Sequence, residues 1–144
     1  MGELTEGLED YLEAILLEEK DRRIVRTKHL AERLGVTSPS AHAAVKDLVS
    51  LGLASHESYS HIELTRMGRR KAELIYARHE TLRRFFAEGL GLPRETAESI
   101  ACGLEHRLDE RAVKRLERLQ VFLEKKAREG KGFAAELKGA LGDD

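Results

Sequence analysis

The sequence predicts a mainly α protein: an N-terminal winged helix-turn-helix with a small β-hairpin wing, followed by a helical C-terminal half. Three observations carry this. Helix-favouring Ala, Leu, Glu, Arg and Lys dominate and Pro occurs only twice among 144 residues. Two short apolar-periodic segments are separated by about four residues, the spacing of a helix-turn-helix. Beyond residue 73, apolar residues recur in stripes of helical period. The expected division is 1–72 and 73–144.

In "TEGLEDYLEAILLEEK" apolar residues fall at 8, 11, 12, 15 and 16, one face of a helix running to about Lys20, with Thr5 as N-cap. "RTKHLAERLG" places Leu30, Ala31 and Leu34 on one face and Gly35 as a stop. "VTSPSAHAAVKDLVSLG" follows, with Ser38 read as N-cap and Pro39 as the first helical residue. Ala41, Val45, Leu48 and Leu51 line its inner face, and Gly52 ends it. "LASHE" and "HIELT" alternate partially around "SYS" and read as a hairpin. A long helix is expected from near Thr65 to about Glu88, tolerating Gly68. Another begins after Gly91 with Pro93 in its first turn. A third carries Val113, Leu116, Leu119 and Phe122/Leu123 as an apolar stripe. The Gly-rich tail from 130 reads either as weakly ordered or as a short docking helix.

The net charge of −1 does not by itself favour a polyanion partner, but its distribution does. Residues 1–19 hold seven acids and no Lys or Arg, whereas residues 20–72 hold eleven Lys and Arg against five acids. A basic excess confined to the helix-turn-helix segment points to a nucleic-acid surface; a solvated charged face would look the same from composition alone. On the second helix of the motif, Thr37, Ser38, Pro39, Ser40, His42, Ala43 and Lys46 stand near the N-terminal end. Small polar side chains there allow close approach to a major groove. Arg22, Arg23, Arg26 and Lys28 precede or open the first helix, where phosphate contacts usually lie. His29, His56 and His61 read as surface or phosphate-side groups.

One cysteine excludes an intramolecular disulfide and fits a reducing compartment. The N-terminus is acidic and lacks a signal-peptide pattern, and no apolar run approaches a membrane span. A cytoplasmic protein without membrane contact is expected.

The single cysteine lies in "ACGLEH". On a helix, Cys102, Glu105 and His106 at i, i+3 and i+4 share a face. A thiol, a carboxylate and an imidazole with that bite suit a divalent transition metal; a buried Cys beside two solvated polar residues is the plainer reading of the stretch alone. A thiolate–imidazolium nucleophile is disfavoured, because no oxyanion-hole signature or orienting third residue accompanies the pair, and an enzyme is not expected. Asp10 and Glu13 in "EDYLE", also at i, i+3, and His79 in "ARHE" supply further donors if their helices converge with this one. Carboxylates and imidazoles suit Mn(II) and Fe(II), while the thiolate tilts preference toward Fe(II), Co(II) or Zn(II).

The ordered set "EDYLE", "LAERLGVTSPSAHAAVKDL", a wing, "RHETLRRFF" and "CGLEH" resembles the diphtheria-toxin-repressor family of metal-dependent regulators, including its manganese-transport-regulator branch. The match covers nearly the whole chain. The resemblance implies a short form without the SH3-like domain of longer members, metal ligands at Asp10, Glu13, His79, Cys102, Glu105 and His106, and homodimers joined through the C-terminal helices. It further implies binding to double-stranded operator DNA, through residues that here include Arg26, Lys28, Thr37, Ser38, Pro39, Ser40, His42 and Lys46, under control of Mn(II) or Fe(II), with Co(II) or Zn(II) serving in vitro. Asp10 looks like the manganese branch, where iron-dependent members carry methionine. Cys102 looks like the iron branch, where manganese regulators carry glutamate. The family's ancillary site is not expected in its usual form, because Arg83 replaces a glutamate and Glu98 a histidine; Glu98 stands as a substitute ligand or a partner behind the ligands. A base-reading glutamine is replaced by Ala43, so the operator sequence does not carry over. A winged-helix regulator answering to another ligand, without metal, is the alternative reading.

Overall fold

The computed structural model describes residues 4–57 and 61–142 and divides the chain into two compact units, 1–76 and 77–144. Among the described residues there are seven α-helices and one two-stranded antiparallel sheet.

In the first unit, α1 (Glu6–Asp21) starts at Thr5, whose hydroxyl accepts from Leu8 N at 3.3 Å. Its apolar stripe is the centre of the core: Leu12 and Ile15 are fully buried and pack with Leu30, Val45, Leu48 and Ile62. α2 (Thr27–Leu34) ends at Gly35, which adopts φ +65°, the left-handed region where glycine is favoured. α3 (Ser38–Ser50) begins one residue earlier than expected. Thr37, not Ser38, is the N-cap: its Oγ1 accepts from Ser40 N at 3.3 Å, leaving Ser38 as the first helical residue. The extended backbone of Thr37 (ψ 151°) suits a cap, and Pro39 is then pre-organised in the first turn.

β1 (Ala54–Glu57) and β2 (His61–Leu64) form the expected hairpin, with Ala54 opposite Leu64 and His56 opposite Ile62. The "SYS" connection at 58–60 lies outside the described residues. Ile62 and Leu64 face the core and Glu63 faces solvent, the alternation of a half-buried strand.

Three polar devices fix this unit, and apart from the i, i+4 pair of Glu18 and Arg22 they leave no sequence pattern. Glu18, almost fully buried, accepts from Arg22 Nε at 2.6 Å and Arg33 Nε at 2.7 Å, tying α1 to α2. Burial opposes its charge, but the two guanidinium bonds outweigh that and hold its carboxyl below the usual range. Glu19 Oε1 accepts from Leu64 N at 3.0 Å and its other oxygen pairs with Arg69, tying α1 to the wing. His29 Nδ1 accepts from Arg26 N at 3.1 Å and caps the start of α2.

α4 (Arg66–Arg84) ends in a π turn at Phe85–Gly89 instead of continuing as α-helix to Glu88. The unit boundary falls within this helix, after Tyr76, whose ring packs on the first unit's core. In the second unit, Gly89 sits under Gln120: a Cβ built there would meet Gln120 Oε1 at 2.5 Å and the Phe85 ring at 3.3 Å. α5 (Arg94–Leu104) follows Pro93, and α6 (Glu110–Glu129) is capped by Asp109, whose Oδ1 accepts from Ala112 N at 2.7 Å. Of the α6 stripe, Val113 is buried and Leu116 and Leu123 are half-buried, but Leu119 and Phe122 remain about half exposed. The tail forms α7 (Lys131–Leu141) and buries none of its residues.

Candidate metal centre

His79 lies on α4 with a 7%-exposed side chain. Its two ring nitrogens face two different carboxylates. Nδ1 is 2.7 Å from Glu105 Oε2, and Nε2 is 2.9 Å from Glu98 Oε1. Cys102 Sγ stands 3.9 Å from Nδ1. The other oxygen of Glu105 is 3.3 Å from His106 Nε2. Five sequence-predicted residues of the second unit are thus brought into one cluster.

The local backbone departs from a simple helix face. α5 ends at Leu104. Glu105 is its C-cap, still with helical dihedrals (φ −57°, ψ −30°), and His106 belongs to the turn that follows. Glu105 N still bonds to Ala101 O at 3.0 Å, so its side chain is carried inward, while Arg107 N already closes a tighter turn onto Leu104 O at 2.9 Å. The plain reading of a buried thiol with two solvated neighbours is reversed. The Glu105 side chain is 2% exposed and that of His106 7%, whereas Cys102 is exposed.

A buried carboxylate requires partners. Here they are two imidazoles, with a thiol alongside the first. For bonds of about 2.0–2.3 Å, donors around one ion stand about 3–4 Å apart. Within this unit His79, Glu98 and Cys102 each bring one donor atom within 4.8 Å of the others, a mixed S, N, O set that divalent transition metals accept. The cluster therefore fits such an ion.

Asp10 and Glu13 lie on α1 of the first unit, one turn apart, the former exposed and the latter half-buried. All eight residues expected at DNA are exposed: Arg26 before α2, Lys28 on it, Thr37 at the head of α3, and Ser38, Pro39, Ser40, His42 and Lys46 along it. The α3 face opposite them carries the buried Ala41, Ala44, Val45 and Leu48. Ala43 is exposed among the DNA-facing candidates and offers no hydrogen-bonding group. Motif spacing did not show that Arg83 forks onto Glu80 through Nε at 3.1 Å and Nη2 at 2.9 Å. The i, i+3 charge pair was the only signal available.

A winged helix-turn-helix carried in one chain with a helical unit rich in metal donors defines the class of DNA-binding, metal-dependent transcriptional regulators. The chain belongs to the iron-dependent repressor family: residues 3–62 match that family's N-terminal DNA binding domain, and residues 65–132 match its metal binding and dimerisation domain. Proteins of this family regulate transcription by binding DNA and are not enzymes. The chain is 38% identical to an uncharacterized HTH-type transcriptional regulator of Methanocaldococcus jannaschii, over 85% of this chain and 96% of that protein. It is 33% identical to the iron-dependent repressor IdeR of Mycobacterium tuberculosis, over 81% of this chain and 50% of that one. Among solved structures, a manganese-dependent transcriptional repressor in complex with manganese superposes with a TM-score of 0.74 at 32% identity, over 80% of this chain and 53% of the other. The chain spans about half the length of these last two proteins. Among the described residues, no helix is long and apolar enough to cross a membrane.

Proposed function

We propose that the protein is a metal-activated repressor that binds double-stranded operator DNA as a homodimer in the cytoplasm, with Mn(II) or Fe(II) as the activating ion. The observation that carries this reading is the buried Glu105 carboxylate, held between His79 Nδ1 and His106 Nε2 with Cys102 Sγ 3.9 Å from the first imidazole. His79, Cys102, Glu105 and His106 are assigned as ligands on that geometry. Asp10 and Glu13 are assigned to the same ion on their one-turn spacing in "EDYLE" and on the resemblance of that motif to the manganese branch. The manganese-containing neighbour and the iron-dependent relative support both candidate ions.

When bound, a divalent ion supplies the positive charge that lets several carboxylates share one site. The protein's residues do the rest. Glu105 holds two imidazoles, one on each of its oxygens, and Asp10 and Glu13 are carried by the helix whose inner face is the core of the DNA-binding unit. Ligand occupancy then biases the orientation in which two recognition helices of a dimer meet two half-sites, shifting a population without building a new fold. The shift is limited by the ion's differential affinity for the two states. Arg26 and Lys28 are assigned to phosphates, and Thr37, Ser38, Pro39, Ser40, His42 and Lys46 to the groove and its walls. Leu119 and Phe122, apolar and exposed on α6, are assigned to the partner copy. Domain roles follow as 1–72 for DNA and 73–144 for metal and dimerisation.

Fluorescence anisotropy on a labelled promoter fragment tests the proposal, with chelator and then with Mn(II), anaerobic Fe(II), Co(II) or Zn(II). Operator affinity should rise on the order of 5–150-fold with the activating ion. Equal affinity in chelator and in every metal overturns it.

A further inference from the structure

The outward side of α3 is chemically uneven. Ala41, Ala44, Val45 and Leu48 are buried and mark the inner face of the helix. At about 100° per residue, the positions pointing most directly away from them are Pro39, Ala43, Lys46 and Ser50, and all four are exposed. Two of these carry no polar side-chain atom: the Pro39 ring and, one turn later, the Ala43 methyl. The serine hydroxyls nearby are engaged close to home. Ser40 Oγ lies 2.9 Å from Thr37 Oγ1, and Ser50 Oγ donates to Asp47 O at 2.7 Å. His42 and Asp47 flank this line on opposite sides, both exposed. The N-terminal half of the outward face is thus centred on apolar groups, with polar and charged side chains around them.

We propose, on the operator-binding reading above, that Ala43 reads the 5-methyl group of a thymine in each operator half-site. The reason lies in the chemistry of the groove. Base edges in a major groove present hydrogen-bond donors and acceptors at every pair, and the thymine methyl is the apolar feature among them. A side chain without donor or acceptor, pressed against any other edge, strips water from a polar atom and returns no bond, which costs free energy. Pressed against the methyl, it removes apolar surface from water on both sides. The opposing arrangement is an alanine that only clears space while its neighbours do the reading. There the methyl is untouched by residue 43, and its removal changes nothing that depends on Ala43.

Deoxyuridine, which pairs as thymidine does but lacks the methyl, separates the two. A randomised double-stranded DNA library is selected on the full-length chain with Mn(II) and, in parallel, anaerobic Fe(II). The selected site is then resynthesised with deoxyuridine at one thymine at a time, and fluorescence anisotropy gives the thymine-to-uracil affinity ratio at each position. One thymine in each half-site should show a ratio of about four, the worth of one methyl-sized group taken out of water. Ala43→Gly should abolish that preference and leave the ratios at other thymines unchanged. Because each ratio is taken within one protein, any weakening of the helix by glycine cancels. Ala43→Gln should change the base selected at that position alone, since a glutamine amide pairs with adenine. A ratio that survives Ala43→Gly, a motif that Ala43→Gln leaves unaltered, or a selected site with no methyl-sensitive thymine overturns the proposal and leaves operator binding standing. A wild-type chain that selects no sequence with either metal overturns both together.

Discussion

Individual residues decide points that composition cannot. Gly68 is the sharpest case. A Cβ at this position would lie 1.7 Å from the carbonyl oxygen of Leu53, so the first turn of α4 touches the backbone leading into the wing. Helix propensity alone predicts that Gly68→Ala stabilises by about 1 kcal/mol. The structure predicts the opposite sign: overpacking should cost about 1–3 kcal/mol. A urea titration followed by circular dichroism reads the sign directly. In the sequence, Gly68 showed only as a residue the helix tolerates, because a close approach from fifteen residues away leaves no local pattern. Glu18 teaches the same lesson. Composition counts it only as one of seven acids in residues 1–19, yet it is the buried acceptor of two arginines. Glu105 is legible as a candidate ligand from its spacing, but its burial is not.

At the scale of elements, local chemistry carried most of the outcome. The α1 stripe, the Gly35 stop, the second helix of the motif and the alternation of β2 all lie where periodicity and capping placed them. The departures are small and have causes. Thr37 outcompetes Ser38 as cap because its backbone is extended, and α4 passes into a π turn where Gly89 lets Phe85 and Gln120 close in. The exposed side of α3 belongs to a prediction at this scale. Lys46 is exposed one turn after His42. If it contacts a phosphate, Lys46→Ala should weaken binding to operator and unrelated DNA alike and lower the salt slope by about one. Anisotropy across a salt series measures both. An unaltered slope would remove Lys46 from the interface.

For the whole molecule, the decisive surface is the apolar face of α6. Leu119 is 44% exposed and Phe122 is 51% exposed, and Val121 between them is 54% exposed, on a helix that buries Val113. Exposed residues of this size in a family whose C-terminal domain is named for dimerisation fit a partner copy. Leu119→Asp with Phe122→Asp should leave the helical circular dichroism intact, because neither side chain is buried within the chain. The same pair should weaken the dimer by at least tenfold in sedimentation equilibrium. A dimer of unchanged affinity would place the interface elsewhere.

The sequence by itself determined the class: a basic helix-turn-helix with a wing, then helices bearing a thiol, imidazoles and carboxylates at one-turn spacings. Those features are local, and local backbone geometry translates them into shared faces without knowledge of the rest of the chain. Only the tertiary structure decided which of those groups look inward. It turned Glu105 into the centre of the cluster and left Cys102 exposed; it set one nitrogen of His79 against Glu105 and the other against Glu98, and it forked Arg83 onto Glu80. Spacing along a helix says which side chains are neighbours. What covers them, and which atom of each meets which, depends on packing between segments distant in sequence.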